Sequence, residues 1–284
     1  MTATIRMPRG FIKPLLIFFV SAAALAVCIM FFGATMRRAI REYLMQSVTS
    51  AHYEILCPPG ALSQDAMEQF AKDRETLFTA LDKKLGDAGS NSELRIVLDP
   101  NFPAPISDET GQLPYSVSGT TIRTKLLHRN PQLPSAADAQ ALLYVAWGKP
   151  GHAEIARWTA IWLLGEWRGS EIGMAAAHVE QRLGHQQLEA LLANPANEIA
   201  SPNDQSLLGA AWISEIAEFG GMPAVRKLYA AKMSRPSIGV AAAALGTTPL
   251  ELDRKWQMWM YAYLAGMPAM PSDGAMPMNM PMGR

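Results

Sequence analysis

HYEILCPPG, residues 52–60, reads as a β-strand cut short by a Pro-Pro-Gly turn. Ser63 then offers an N-cap, and residues 62–85 form a long helix. Its apolar stripe runs through Phe70, Leu77, Leu81 and Leu85, and Gly86 ends it. ELRIVL, residues 93–98, is a second strand, stopped by DPNFPAP. Residues 115–117 and 121–126 spell a hairpin about Ser118 and Gly119. After HRNPQLPS the chain turns helical and stays so. Helical patterns cover residues 136–147, 152–168, 173–193, 206–219, 223–232, 238–245 and 249–264. Strands first and helices afterwards predict an α+β domain, a small mixed β-sheet followed by a mainly helical half.

Outside this region the composition changes. Residues 15–36, LLIFFVSAAALAVCIMFFGATM, are almost purely apolar. Counted from Phe11 the run is long enough to cross a hydrocarbon core of ~30 Å as a helix. A cleaved signal peptide is the alternative, but its apolar region spans only ~7–15 residues and ends in small residues. Here the run is longer and ends in FFGATMRRA. LAVC, residues 25–28, loosely matches a lipoprotein box, yet Val27 is bulky and the apolar run continues past Cys28. Arg6, Arg9 and Lys13 precede the span with no acid among them, whereas Arg37, Arg38 and Arg41 follow it offset by Glu42. The positive-inside bias therefore places the N-terminus in the cytoplasm and the large C-terminal region outside the inner membrane. Residues 36–50 extend the anchor as a helix-compatible segment, with arginines against anionic headgroups or in a solvated linker.

The resulting division is a cytoplasmic N-terminus at 1–10, a transmembrane helix at 11–36, a juxtamembrane linker at 37–51, a domain at 52–266 and a tail at 267–284. A formal net charge of zero over 284 residues argues against a nucleic-acid binder, which needs a basic surface. Cys28 lies in the span and Cys57 at a strand end, so they do not pair with each other, and Cys57 reads as a small core residue.

Several blocks of the domain resemble the peptidase MA-like family of gluzincin-type metallopeptidases. HYEILCPPG with its long helix is one, and ELRIVLDPNF is the next. GTTIRTKL is similar to the family's edge strand before the zinc helix, and WLLGEW to the segment that brings the third zinc ligand. AAWISEIAEFGGMPAVRKLYAAKMS and ALGTTPLELDRKWQMWMYAYL resemble the terminal helices. The likeness covers about three-quarters of the chain and implies a gluzincin-like fold.

The catalytic carry-over fails residue by residue. The resemblance puts H-E-x-x-H on the helix before WLLGEW, within residues 139–148, AQALLYVAWG, where no histidine or glutamate stands. If Trp158 is the family's tryptophan, the third-ligand position is Ile161. If Trp162 is, it is Gly165, and Glu166 stands one place late, a rotation of ~100° on a helix. A zinc peptidase needs two imidazoles one helical turn apart and a glutamate to activate water. Leu142, Leu143, Val145 and Trp147 fill those places with apolar side chains, and Asp138 is the only carboxylate on the helix. No catalytic residue, resident cofactor or metal ligand is therefore expected in the domain.

Other residues do not rebuild a site. His152 and Glu154 are two apart, on nearly opposite faces of a helix, and His178 and His185 are two turns apart. Glu180 has no usable place between them, and His128 lies in a polar loop. Each histidine reads as a surface or satisfied-core residue. Gly220 and Gly221 are a helix C-cap and turn. Trp158 and Trp162 share a helix face; core packing explains them, and a binding face at the degenerate cleft, with Leu142, Leu143 and Val145, is the functional alternative. In the tail, Met276, Met278, Met280 and Met282 alternate in MPMNMPM. Disorder is the plain reading, and soft thioether capture of Cu(I) the sharper one.

Three functions follow. The first is a membrane-anchored, extracytoplasmic peptidase-like module without zinc ligands that binds or scaffolds a protein partner in the cell envelope. The second is a hydrolase with an unrecognised site. The third is an envelope copper-handling protein that works through its tail.

Overall fold

A computed structural model of the chain describes residues 42–100, 102, 115–127, 130, 131, 133–167, 169–183 and 201–266, with Gly33, Met36 and Ile40. The chain divides into two compact units, Met1–Gln46 and Ser47–Arg284. The expected span at 11–36 lies outside the described residues except for Gly33 and Met36, and so does the methionine-rich tail. No helix among the described residues is long and apolar enough to cross a membrane.

Strands β1 (Gln46–Thr49), β2 (Tyr53–Cys57), β3 (Leu94–Asp99), β4 (Tyr115–Ser118), β5 (Thr121–Leu127) and the short β6 (Asn130–Pro131) form one mixed sheet. Its order is β1-β2-β3-β5-β4, with β6 added to β5. β2, β3 and β5 run parallel, with Ile55 opposite Ile96 and Ile96 opposite Ile122. β4 returns antiparallel on β5, with Val117 opposite Ile122. Gly119, at φ 62, makes the two-residue turn between them. A parallel β2–β3 pair requires a crossover, which helix α1 (Gln64–Lys84) supplies.

The pleat separates two faces. Tyr53, Ile55, Cys57, Leu94, Ile96, Leu98, Ile122 and Tyr115 enter one core. The opposite face carries an ion pair between Glu54 and Arg95 at 3.0 Å, with Arg123 and Lys125 half-buried in register on β5. The same face also holds Leu56 and Val97, both buried, so one face is apolar and the other mixed.

The Ser63 hydroxyl caps α1 by accepting from the Ala66 amide at 3.2 Å. Its buried stripe is Met67, Phe70, Ala71, Phe78 and Leu81, a run at i, i+3 and i+4 spacing. Leu77 and Leu85 lie at the stripe's half-buried margin.

The helical half comprises α2 (Ser135–Trp147), α3 (Ala153–Leu164), α4 (Ile172–Leu183), α5 (Pro202–Ala230), α6 (Ile238–Leu245) and α7 (Pro249–Leu264). α2 and α3 pack side by side, α2 also meets β4 and β5, and α3 packs along α5. A second core, centred on Trp212, Trp256 and Ile213, fills the space among α3, α4, α5, α6 and α7. Ala136, Trp147 and Trp162 touch both cores and join them.

Three expectations need correction, and a fourth is described only in part. Residues 46–49 are a strand, not a helical extension; Val48 is buried in the sheet-side core, and tertiary pairing overrides local compatibility. The helix expected to reach residue 168 stops at Leu164, because Gly165 takes φ 85. A small hairpin, β7 (Glu166–Trp167) with β8 (Ser170–Glu171), follows it. The helix expected at 173–193 is described only to Leu183, and residues 184–200 lie outside the described residues. The helices expected at 206–219 and 223–232 are two arms of α5, broken where Gly221 takes φ 67 and Pro223 opens the second arm. Its true start is Ser201, whose side chain and that of Asp204 cap each other's backbone amides.

Candidate functional site

α2 is the helix on which the resemblance places a metal and a general base. Leu142 and Leu143 are fully buried in the sheet-side core. Leu142 presses on Gly89 so closely that any Cβ there would collide with it. Val145 is half-buried against the same core. On α3, Trp158 turns to the helical core, where it sits against Gly209 of α5 and meets the Trp212 ring edge-on at 6.4 Å. Trp162 lies half-buried between the two cores. Leu142 and Leu143 are thus sealed with the sheet, while Trp158 belongs to the other core; the five residues do not line one open groove.

The alternative third-ligand positions fare similarly. Ile161 is buried in the helical core. Gly165 is the left-handed C-cap of α3, and Glu166 is exposed on β7, off the helix altogether. The Lys84 ammonium donates to the carbonyls of Leu163 at 2.8 Å and Leu164 at 3.2 Å, satisfying the end of α3 from the end of α1.

Asp138, at the start of α2, is 1% exposed and fully engaged. Tyr53 donates to its Oδ1 at 2.8 Å and Arg74 to its Oδ2 at 2.9 Å. A second arm of Arg74 reaches the Leu133 carbonyl at 2.8 Å. Burial pushes the Asp138 carboxyl up, and Arg74 and the hydrogen bonds offset this in part. Burial, then Asp138, raises the Tyr53 phenol. The cluster ties β2, α1 and α2 together; its polar groups face one another, which suits a structural lock rather than a reacting group.

The one serine–histidine–carboxylate set among these contacts does not form a nucleophile. Glu75 stands between the other two: Ser50 donates to its Oε1 at 2.6 Å, the His52 amide donates to Oε1 at 2.7 Å, and His52 Nδ1 lies 2.7 Å from Oε2. Burial pushes the Glu75 carboxyl up, but hydrogen bonds from Ser50 and His52 outweigh it and hold it below its ordinary value. The serine hydroxyl is spent on the carboxylate, so no imidazole is placed to take its proton. The His52 ring stacks on Phe78 at 4.1 Å, and the whole set pins the β1–β2 link to α1.

The remaining histidines have local roles. His152 is the N-cap of α3, accepting from the Glu154 amide at 3.2 Å, rather than a residue on a helix face. His178 is exposed, with Nδ1 2.8 Å from the Met174 carbonyl. His128 and His185 lie outside the described residues. Among the described residues no three His, Cys, Asp or Glu side chains come together in a way that could hold a metal ion.

A second location stands out, and no motif announces it. A pocket of about 130 Å³ opens between α5, α6 and α7, lined by Glu215, Phe219, Ala224, Leu245, Leu252 and Lys255 among others. Glu215 is 1% exposed, and its Oε2 has no hydrogen-bond partner among the described residues. Burial pushes its carboxyl up to about 8; Lys255 opposes the shift and Glu218 adds to it. Glu215 sits inside a helix that reads as ordinary amphipathic sequence, so only its surroundings distinguish it. No family model matches the chain, and no curated protein or solved structure is significantly similar to it.

Proposed function

We propose that this protein is a membrane-anchored binding or scaffolding module whose domain, outside the cytoplasm, descends from a peptidase MA-like ancestor and has no zinc chemistry. The observation that carries this reading is the packing of α2. Where a metal site would need imidazoles and a glutamate, Leu142 and Leu143 are sealed in the sheet-side core, and the one carboxylate, Asp138, is held by Arg74 and Tyr53. Converting water to a nucleophile at neutral pH needs a metal that lowers its pKa from ~15.7 to ~7, and a single paired carboxylate cannot bind one. The adjacency of α2 and α3 supports the reading, while GTTIRTKL, likened to an edge strand, lies inside the sheet as β5, between β3 and β4. Met36, at the end of the apolar run, and Ile40, Tyr43 and Leu44 just beyond it are exposed apolar residues at i, i+4, i+7 and i+8. Such a stripe suits a helix end at the lipid headgroups.

The test is a metal and activity assay on full-length protein and on protein lacking residues 267–284. The expected result is no stoichiometric zinc in either form and no chelator-sensitive proteolysis. Zinc in the tail-less form would sink this reading and favour a hydrolase. Cu(I) bound by the full chain and lost with Met276, Met278, Met280 and Met282 would assign copper handling to the tail.

A further inference from the structure

Exposed apolar side chains concentrate in one short stretch of the chain. Met36, Ile40, Tyr43 and Leu44 are 67%, 54%, 88% and 62% exposed. Among the described residues only Leu250 and Tyr261 join them as large apolar side chains more than half exposed. Gly33, Met36, Ile40, Glu42 and Tyr43 are helical. The Leu44 amide donates to the Ile40 carbonyl at 3.1 Å and the Met45 amide to the Glu42 carbonyl at 3.2 Å, closing the helix. At ~100° per residue the four side chains fall within an arc of about 100° on one side of it. A stripe of that width is what an amphipathic helix buries, and here nothing described covers it.

The rest of the stretch is basic. Residues 36–45, MRRAIREYLM, hold three arginines and one glutamate. On the same helical wheel Arg37 and Arg41 border the apolar arc, and Arg38 and Glu42 fall opposite it. Arginine stems beside an apolar stripe reach from the acyl boundary to lipid phosphates, and a tyrosine ring takes the same depth. The stretch also follows directly on the apolar residues 15–36. Length decides the direction of the helix. Running straight out of the bilayer at ~1.5 Å per residue, it would carry Leu44 ~12 Å beyond Met36. The headgroup layer of one leaflet is only ~5–8 Å thick, so Tyr43 and Leu44 would stand in water. Lying in the surface, the helix keeps all four side chains at one depth. Pairing two copies along the stripe would set their arginines against each other, whereas anionic headgroups neutralise them.

We propose that residues 36–44 form an interfacial helix lying in the plane of an anionic bilayer. Met36, Ile40, Tyr43 and Leu44 enter the acyl boundary, and Arg37 and Arg41 meet the headgroup phosphates. This rests on the membrane-anchored reading above and adds to it the lipid class and the direction of the segment. The change of direction falls at residues 33–35, GAT, where the side chains are small. Only Met45 separates Leu44 from β1, so the link to the domain has no slack.

The test places a nitroxide at one position at a time in full-length protein, reconstituted in vesicles of phosphatidylglycerol and phosphatidylcholine. The variants are Ala23→Cys, Ile40→Cys, Glu42→Cys and Leu44→Cys, and wild-type protein taken through the same labelling gives the background from Cys28 and Cys57. Collisions with dissolved oxygen report lipid, and collisions with a water-soluble nickel chelate report water. The expected result is oxygen-dominated relaxation at 40 and 44 and nickel-dominated relaxation at 42. In vesicles of phosphatidylcholine alone, or with Arg37→Gln and Arg41→Gln together, nickel contact at 40 and 44 should rise roughly twofold or more, as expected when ~1 kcal/mol per arginine is lost. Position 23 should see oxygen only. Nickel access at 23 would remove the anchor itself. Lipid at 23 with equal nickel access at 40, 42 and 44 would leave the anchor standing and overturn the interfacial helix. Spin–spin broadening at 40 and 44 that vanishes on dilution with unlabelled protein would assign the stripe to a second copy and overturn it as well. Depths that do not respond to lipid charge would overturn the anionic headgroup contact.

Discussion

Glu215 shows how one residue can set a pH dependence for the fold. Its carboxyl rises from an ordinary 4.5 to about 8 on folding, chiefly through burial. Between those values the unfolded chain has released its proton and the folded chain keeps it. Stability from this group is therefore fully present below about pH 4.5, declines as pH rises through the window, and is lowest above about pH 8. Denaturant midpoints measured from pH 5 to 9 should fall with pH in the wild type and fall less in Glu215→Gln. A glycine carries the second prediction at this scale. Gly209 lies under the Trp158 ring, where any Cβ would overlap the indole. Gly209→Ala should destabilise by about 1–3 kcal/mol, the usual cost of overpacking, read as a lower urea midpoint at unchanged slope. Trp158→Phe in the same background should recover part of the loss.

Elements in this protein are joined by polar locks laid over the apolar contacts. The Tyr53–Asp138–Arg74 cluster fixes β2, α1 and α2 in one arrangement. Asp138→Ala strands the Arg74 guanidinium, half-buried, and the Tyr53 hydroxyl, and should cost about 3–5 kcal/mol, the range for breaking a buried pair on one side. Replacing all three together with apolar residues of similar size should cost much less, because no charge is then left alone. Equal losses in the single and triple variants would show that packing, not charge, governs the junction. Lys84 offers a milder case. It closes the last turn of α3 from α1 through the Leu163 and Leu164 carbonyls. Lys84→Met should cost about 0.5–1.5 kcal/mol, with faster amide exchange confined to the end of α3.

At the scale of the molecule, two cores meet along a seam of Ala136, Trp147 and Trp162. Tyr229 reinforces the seam, donating to the Gly148 carbonyl at 3.2 Å and meeting Trp147 edge-on at 5.3 Å. Gly151 lies so close to the Ala231 backbone that a side chain has no room. With the seam this continuous, residues 47–266 should unfold in one cooperative step, with tryptophan fluorescence and far-UV dichroism coincident. Non-coincident transitions would mean that the halves fold separately. The topology expected of the anchor is checked by fusion: a C-terminal alkaline phosphatase should be active, and the mature protein should retain its own N-terminal sequence. Activity of a cytoplasmic reporter alone would reverse the orientation.

Much of the framework was legible in the residues themselves, wherever local chemistry and burial agree. Ser63 at an N-cap, Gly119 in a two-residue turn, Gly221 before Pro223, and the alternating apolar residues of β2 and β3 each signal their role within a few positions. The lack of histidine and glutamate from residues 139–148 was equally plain. Tertiary structure decided the rest. Residues 46–49 became a strand because a sheet edge was there to pair with, and Glu166 left its helix because Gly165 turned the chain. Trp158 and Trp162 share a helical face, yet Trp158 belongs to the helical core while Trp162 touches both cores, since α3 is wedged between the sheet side and α5. Glu215 lies in a run, WISEIAEF, that any amphipathic helix could contain. Its distinction comes from α6 and α7, further along the chain, which remove water from one carboxyl and leave a space beside it. Desolvation and cavities depend on how distant segments pack, and no local pattern encodes them.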